Sequence, residues 1–340
     1  MSRERRDHGD RRPPRLRDLN RFVSTAGALA ALSLTASGCV VVHGEREVVP
    51  AATRADAARA LKDFTAAYNK ADKAYDESLD ADRVTGPLAD IDGAKLKAGH
   101  RNSPGGNTAH APLKLTDAKF VIPEKAGWPR WFVADADANK GSAGSRWLLV
   151  FTRSGADGLW QASYLTILAA DDVPEFTKDK DGWAQPVTAD DAELAVAPEQ
   201  LSKSYANYLQ DGGDDFAPGT HTSDWRALRK KNTNRPGLVR QYVDEPLTSG
   251  DYAPVGLRTK DGGALVFFST RHFEKQTAAQ GVDLKISDQN IRALLTGEVK
   301  QSLTLEFVSN QAVLDPAKGA SEHKVEFLSR VQGLTGAKGE

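Results

Sequence analysis

The sequence predicts an α+β protein made of two tandem units, each with an N-terminal helix packed on a curved antiparallel sheet. Residues 53–79 carry apolar side chains at helical spacing, and runs rich in aromatic and β-branched residues follow them. Turn-forming residues separate these runs, as expected for hairpins. The same order, a helix and then strands, recurs after residue 197. Helices followed by a meander of strands are typical of a sheet with one helix-covered face.

The first unit is predicted to span residues 53–170. Its long helix begins at Thr53, whose hydroxyl can cap the first turn, and a second, weaker helical stretch lies at 87–98. Strands are predicted at 113–122, 131–136, 146–153 and 159–168, with turns at 135–141 and 154–158.

The second unit is predicted to span residues 198–333, after a polar linker at 171–197 that contains two prolines, and before a tail at 334–340. Helices are predicted at 199–209 and 223–231, with a helical insertion at 287–295. Strands are predicted at 238–243, 253–259, 264–273, 300–308 and 324–331. The two units echo each other locally, because Leu149–Arg153 and Leu265–Arg271 both follow a glycine-containing hairpin loop.

The first 38 residues have the organisation of a signal peptide. Residues 1–21 hold eight arginines and no lysine, and residues 22–36 form an uncharged apolar run. A helix needs roughly 20 apolar residues to cross a bilayer core, so this run is too short for a comfortable span. A basic start, a short apolar stretch and small residues after it are typical of export and cleavage.

The residues Ala36-Ser37-Gly38-Cys39 resemble the lipobox of bacterial lipoproteins, with cleavage between Gly38 and Cys39. Ala36 stands where the family usually has leucine, and Cys39 is the sole cysteine of the chain. The resemblance implies that Cys39 carries acyl chains such as palmitate and that residues 39–52 form a lipidated tether. It also implies a cell-membrane location on the extracytoplasmic face, where several acyl tails give stable anchoring.

Two alternatives to this anchor stay open from the sequence, namely an ordinary signal peptide with a chance cysteine and a single membrane anchor. The export route is open as well. Arg5-Arg6 and Arg11-Arg12 invite a twin-arginine interpretation, but neither pair is followed by hydrophobic residues, which favours a generically basic start.

Composition limits the partners of the exported part. The whole chain has a net charge of −1, and removing residues 1–38, which carry a net +4, leaves about −5. A mildly acidic chain without a basic stripe is a poor nucleic-acid binder, since that affinity comes largely from phosphate neutralisation. The same charge argues against electrostatic adhesion to anionic lipid, so the acyl anchor is expected to act alone.

The predicted domains resemble the NTF2-like (cystatin-like) superfamily, on the basis of a long N-terminal helix before a curved sheet and a late strand at Asp157–Tyr164. That resemblance implies a cone-shaped pocket between helix and sheet, which in the superfamily binds a ligand, catalyses or is filled. The whole chain also resembles uncharacterised lipoproteins of actinobacteria, especially streptomycetes.

Candidate binding residues are few. Trp128 and Trp131 flank Pro129 near a strand start and are the better ligand candidates among the tryptophans, whereas His272 is predicted at a strand end, where a pocket mouth can lie. Asp135-x-Asp137-x-Asn139 is similar to half an EF-hand loop, but Lys140 and Arg146 replace the required glycine and glutamate. No metal, cofactor or catalytic residue is predicted. Ser321-x-x-Lys324 matches the nucleophile motif of penicillin-binding proteins, but the companion motifs of that family are absent from the sequence.

The sequence thus predicts a membrane-anchored, non-enzymatic binding or interaction module. Its expected partners are the membrane, through the lipid anchor, and an envelope protein, a cell-wall component or a small molecule. Two alternatives are a pocket enzyme of the NTF2-like type acting on a small apolar ligand and a purely structural envelope protein.

Overall fold

Two large sheets dominate the fold, and each is preceded along the chain by two helices. The computed structural model describes residues 47–340. Within that range the first half consists of β1 (Val49–Pro50), α1 (Arg54–Ala74), α2 (Gly86–Asn102), β2 (Leu115–Val121), β3 (Glu124–Lys125), β4 (Arg130–Ala138), β5 (Ser145–Arg153) and β6 (Gln161–Ala169). The second half consists of α3 (Pro198–Asp211), α4 (Ser223–Thr233), β7 (Asn234–Arg235), β8 (Leu238–Leu247), β9 (Val255–Arg258), β10 (Ala264–Ala278), α5 (Gln289–Leu294), β11 (Leu295–Thr296), β12 (Ser302–Asp315) and β13 (Glu326–Gly339).

The sheets are almost entirely antiparallel. The first sheet has the strand order β2-β4-β5-β6. The second has the order β11-β13-β12-β10-β8-β7, with β9 also paired to β10, and its short β11–β13 pairing is parallel. The small strands β1 and β3 pair with each other. The α+β class predicted from the sequence is therefore confirmed.

The two large sheets pack face to face, with a helix on each outer face. Neighbouring residues of β10 show this arrangement, because side chains alternate between the two faces of a strand. Phe267 packs with Val133 and Val150 of the first sheet, whereas Phe268 packs with Tyr205 of α3. On the far side of the first sheet, Phe64 of α1 belongs to a third cluster. The resulting layers are α1, first sheet, second sheet and α3.

Helix α1 begins as predicted and ends earlier. The Thr53 hydroxyl accepts the backbone N–H of Asp56 at 3.0 Å, which satisfies one free amide of the first turn. The helix stops at Ala74 instead of residue 79, because Tyr75 adopts a left-handed conformation with φ of 52°. Asp76 then accepts the N–H of Ser78 at 2.9 Å and starts a separate 3₁₀ turn, Glu77–Leu79.

Two segments that the sequence indicates as loose connections are ordered parts of the fold. In the predicted linker 171–197, Phe176 bridges to Thr259 just after β9, and Pro186 bridges to Leu257 within β9. Apolar side chains of this segment enter the inter-sheet core. The predicted tail at 334–340 is wrong, since β13 continues through Gly339 by pairing with β12. Residues 47–340 belong to one compact unit, and its division into two domains stays a prediction.

A buried group of carboxylates links α1 to α2. Asp80, 1% exposed, lies beside Asp92 of α2. Lys95 Nζ lies 3.8 Å from Asp92 Oδ1 and 3.1 Å from Asp72 Oδ1 of α1, and His110 Nδ1 lies 2.7 Å from Asp72 Oδ2. Burial, together with the neighbouring Asp92 carboxylate, raises the pKa of Asp80 to about 8.

In the described range, no helix is long and apolar enough to cross a membrane.

The raised pKa of Asp80 predicts a stability that depends on pH. The folded protein retains this proton until about pH 8, whereas an unfolded aspartate releases it at about pH 4, so the free energy of unfolding should fall as pH rises through that window. The Asp80→Asn variant keeps a neutral side chain of the same shape and should lose most of this pH dependence, roughly 3–4 kcal/mol between pH 5 and pH 8. Urea unfolding at pH 5, 6.5 and 8 measures the slope.

Asp82→Asn is the matched control, because Asp82 is exposed in the same turn. Equal pH slopes for the wild type and Asp80→Asn would contradict a raised pKa of Asp80.

Candidate functional site

A cleft of about 690 Å³ opens between the helices of the second half and strand β8. It is lined by residues of α3, α4 and β8, namely Leu209, Gln210, Ser223, Arg226, Ala227, Arg229, Lys230, Thr233, Arg240, Gln241, Tyr242 and Asp244. Local geometry explains why the charged residues converge. Arg226 and Lys230 are four residues apart on α4 and share one helix face, and Arg240, Tyr242 and Asp244 alternate along β8 and share one sheet face.

A buried ion pair joins the two walls of the cleft. Arg229 of α4 donates from Nη1 and Nη2 to the two carboxylate oxygens of Asp244, at 2.6 and 2.9 Å. Both side chains are less than a tenth exposed. The guanidinium also lies 5.0 Å from the ring of Trp225 and 4.9 Å from that of Tyr242. This two-pronged contact fixes α4 over β8.

The remaining charges of the lining are mostly positive. Four cations line the cleft against one carboxylate, Asp244, which is already engaged by Arg229. Arg240 pairs through Nε with Glu274 at 2.9 Å. Arg226 and Lys230 form no ion pair within 4.0 Å among residues 47–340. The Arg226 guanidinium instead lies 5.3 Å from the ring of Tyr208. The lining therefore offers two cations that have no carboxylate partner in the described structure.

His272 of β10 pairs with Asp244 of β8 in the sheet and does not itself line the cleft. Its ring stacks on Phe307 with centroids 4.8 Å apart and meets the edge of Trp225 at 6.3 Å. Burial, together with the nearby guanidiniums of Arg229 and Arg330, lowers the pKa of His272 to about 3. The imidazole is consequently neutral at physiological pH, and the positive charge of this region comes from the arginines alone.

The structure separates the three ligand candidates predicted from the sequence. Trp131 is 5% exposed and packs between the two sheets, so the core accounts for it and a surface ligand role does not fit. His272 lies within β10, which continues to Ala278, so the predicted strand end is wrong. Trp128 is half-buried at one end of the first sheet, far along the chain from the cleft. Gly38 and Cys39 lie outside the described residues.

The segment that resembles half an EF-hand holds an arginine. Asp135 and Asp137 lie in β4, so the predicted turn at 135–141 begins too early. The strand continues through both aspartates because Arg146 of β5 pairs with Asp137 in the antiparallel register. Arg146 bonds to the carboxylates of Asp135 and Asp137 and, at 3.1 Å, to that of Asp117. Within residues 47–340 no group of three or more acidic, histidine or cysteine residues is arranged to hold a metal ion.

The residues of the cleft were missed by the sequence interpretation, although two patterns could have found them. Trp225 and Arg229 are spaced by four on a predicted helix, as are Arg226 and Lys230. Arg240-x-Tyr242-x-Asp244 places two charges and an aromatic ring on one strand face. Neither pattern shows that the helix and the strand meet, because that contact depends on tertiary packing.

Guanidinium and ammonium groups beside aromatic rings recognise anions chemically. A guanidinium presents paired donors that match carboxylate or phosphate oxygens, and an aromatic ring supplies an apolar surface next to them. With two cations free of carboxylates, this arrangement suits a small anionic molecule.

Comparison with known proteins assigns the chain to a family. The family described as "Domain of unknown function (DUF8094)" matches residues 48–339, almost all of the described structure. The chain belongs to the DUF8094 family. No solved structure matches it.

Streptomycete proteins are similar to this DUF8094 chain. An "Uncharacterized lipoprotein" of Streptomyces avermitilis is 66% identical over 340 residues, 100% of both chains. "Uncharacterized lipoprotein SCO2278" of Streptomyces coelicolor is 63% identical over 331 residues, covering 97% of this chain and 99% of the relative. "Uncharacterized lipoprotein SCO6871" of the same organism is 28% identical over 221 residues, covering 63% and 62%. The resemblance to streptomycete lipoproteins is thus confirmed.

The Arg229–Asp244 pair predicts an asymmetric response to mutation. Arg229→Ala leaves Asp244 buried without a counter-charge and should cost about 3–5 kcal/mol of unfolding free energy. The double variant Arg229→Met/Asp244→Leu removes both charges and should recover most of that loss. Arg226→Ala, on the same helix without an ion pair, should cost less than about 1 kcal/mol. Urea unfolding of all three variants tests this, and an additive double variant would contradict a coupled buried pair.

Proposed function

We propose that this DUF8094 protein is a lipoprotein anchored through Cys39 to the extracytoplasmic face of the cell membrane. We further propose that it is a non-enzymatic binding module whose cleft between α4 and β8 takes a small anionic ligand. The observation that carries the binding proposal is the pair of lining cations, Arg226 and Lys230, that have no carboxylate partner in the described structure.

Two observations support the anchor. The basic start, the short apolar run and the sequence Ala36-Ser37-Gly38-Cys39 occur in the order that lipoprotein export and cleavage require. Relatives that align with nearly the whole chain carry the name lipoprotein. Diacylglyceryl and amide-linked chains on one cysteine would give several acyl tails, and each buried methylene contributes about 0.8 kcal/mol.

The interior under α1 supports a binding module over a pocket enzyme. Aromatic rings fill the centre of the space between α1 and the first sheet: Phe132 stacks on Phe151 at 5.1 Å, and Phe64 and Trp160 meet these rings at 5.9 and 4.9 Å. The cleft of about 440 Å³ that remains between α1 and β2 is lined without a carboxylate or a histidine. In the cleft, both Nη atoms of Arg229 engage the one lining carboxylate, Asp244, so that this carboxylate is not free to act as a base.

The arrangement of helices and sheets supports a relationship to the NTF2-like superfamily as part of the proposal. Helix α1 packs on one face of the first sheet and α3 on one face of the second. In such a fold the space between helix and sheet is where a ligand would enter. Here aromatic rings fill the centre of the first space, a cleft of about 440 Å³ remains between α1 and β2, and the larger cleft of the second half lies at the edge of the helix-covered face.

The anchor proposal predicts the fate of a cysteine variant. Cys39→Ala removes the sulfur that would carry the lipid, so labelling of the protein by an alkyne fatty acid should disappear. The variant should accumulate in the medium or as the uncleaved precursor. Cys39→Ser is the matched control for side-chain size. In-gel fluorescence after click labelling measures the effect, and persistent labelling of the alanine variant would rule out Cys39 as the acylation site.

The binding proposal predicts selectivity for anions that carry a ring. Phenyl phosphate should bind more tightly than inorganic phosphate, because the ring of Tyr242 in the lining adds an apolar contact. The cation phenyltrimethylammonium should not bind. Arg226→Gln/Lys230→Gln should weaken phenyl phosphate binding about tenfold or more, since each charge-assisted bond contributes about 1.5–3 kcal/mol. Isothermal titration calorimetry gives the affinities.

Lys231→Gln is the control, because Lys231 neighbours the pair on α4 but does not line the cleft. Equal weakening by the control variant would indicate a general charge effect. Binding of phenyl phosphate that survives in Arg226→Gln/Lys230→Gln would refute the assignment of the cleft.

A further inference from the structure

One end of the first sheet gathers tryptophan and arginine side chains around the place where the tether enters the fold. Arg130 opens β4 and Arg153 closes β5, and the two residues are direct partners in the antiparallel register. The loop before β4 carries Trp128. The guanidinium carbon of Arg130 lies 4.8 Å from the Trp128 ring and that of Arg153 lies 5.5 Å from it. A single indole is therefore flanked by two cations.

The cations at this end of the sheet have no carboxylate partner. Lys125, Arg130 and Arg153 form no ion pair within 4.0 Å among residues 47–340. The Nε atoms of both arginines are buried and lack a hydrogen-bond acceptor there, and Arg153 Nη2 donates to the carbonyl of Ala156. Glu124 of β3 and Asp157 of the loop between β5 and β6 form no ion pair with these cations in the described structure. No carboxylate of residues 47–340 therefore competes with an external anion for the Lys125 ammonium group and the terminal guanidinium nitrogens.

Exposed apolar side chains surround the same cluster. Leu159 is 47% exposed in the loop between β5 and β6, which begins directly after Arg153. Val48 is 61% exposed and precedes β1. Together with the indole, these side chains make a mixed apolar and cationic surface, which we call the tether-end surface: Val48, Lys125, Trp128, Arg130, Arg153 and Leu159.

The position of the tether decides what covers this surface. Val49 pairs with Lys125, and Ala51 donates its N–H to the Pro123 carbonyl at 2.9 Å, so the described chain starts beside the loop that carries Trp128. Eight residue steps separate Glu47 from Cys39, and a fully extended chain of that length spans at most about 29 Å. The opposite end of β4 lies about 26 Å further away, since a strand rises about 3.3 Å per residue. The described chain therefore begins at the end of the sheet that carries the tether-end surface.

We propose that the tether-end surface rests on the lipid headgroups, with Trp128 at the bilayer interface and Arg130 and Arg153 on lipid phosphates. This inference rests on the anchor at Cys39 from the proposed function. The indole and the guanidinium groups of this surface each complement a part of the lipid headgroup region. Indole rings favour the interface because they combine an apolar body with a polar N–H, and guanidinium groups match phosphate oxygens with paired donors. The surface would orient the molecule, while the acyl chains hold it.

Brominated lipids test the contact with the native acylated protein. The full lipoprotein is reconstituted into vesicles of phosphatidylglycerol and a phosphatidylcholine brominated near the headgroup, and tryptophan fluorescence is recorded. The wild type should be quenched, and Trp128→Phe should remove most of that quenching. Trp225→Phe is the matched control, because Trp225 lies on α4 in the second half and should leave the quenching unchanged. Equal quenching in the wild type and Trp128→Phe would overturn the proposal.

A second variant tests the phosphate contacts without touching the indole. Arg130→Gln/Arg153→Gln should lower the quenching of Trp128 at least about twofold, because each cation near an anionic surface adds to membrane attraction. Unchanged quenching would overturn the role given to the arginines. Mass spectrometry of the reconstituted sample separates the two proposals. A chain without acyl groups defeats the anchor and with it this inference, whereas an acylated chain with unquenched Trp128 defeats this inference alone.

Discussion

The face-to-face packing of the two sheets is the constraint on which the rest of the structure depends. Val133, Leu148 and Val150 of the first sheet meet Leu265 and Phe267 of the second in one dry cluster, with side chains almost wholly removed from water. Burying a large aliphatic or aromatic side chain stabilises a protein by roughly 1.5–3 kcal/mol, so this layer contributes more than any surface contact. Its formation fixes which face of each sheet remains for a helix.

The outer faces are then used differently. The face under α1 is filled at its centre with phenylalanine and tryptophan rings, and the space that remains is a smaller, mostly apolar cleft between α1 and β2. The face under α3 and α4 holds an apolar core near α3 and changes to arginines and tyrosines towards β8. The Arg229–Asp244 pair lies at the boundary between the apolar core and the charged lining. Each charge can be buried there because the other one satisfies it. A cleft with free cations follows beyond it.

Much of the fold could be predicted from the sequence, because the spacing of apolar residues within a short segment indicates whether that segment is a helix or a strand. The helices predicted at 53–79 and 199–209 and the strands predicted at 146–153 and 264–273 coincide with α1, α3, β5 and β10, although the ends of α1 and β10 differ. The predicted linker and tail fail for one physical reason. Isolated apolar residues such as Phe176 and Ala337 give no periodic signal, yet each is buried by a partner far away in the chain. The cleft was missed because Arg229 and Asp244 meet only once α4 lies over β8.

Net charge is also a poor guide to what the surface can bind. Residues 39–340 carry a net charge of about −5, from which the sequence predicts no electrostatic contact with anionic lipid. Charges more than about 8 Å apart in solution are largely screened at physiological ionic strength, so a membrane or a ligand responds to the charges closest to it. Arg130 and Arg153 lie together on one indole, and Arg226 and Lys230 lie together on one helix face. Each pair presents a locally positive surface on an acidic protein, and the distance between charges, rather than their sum, determines which anion each one can hold.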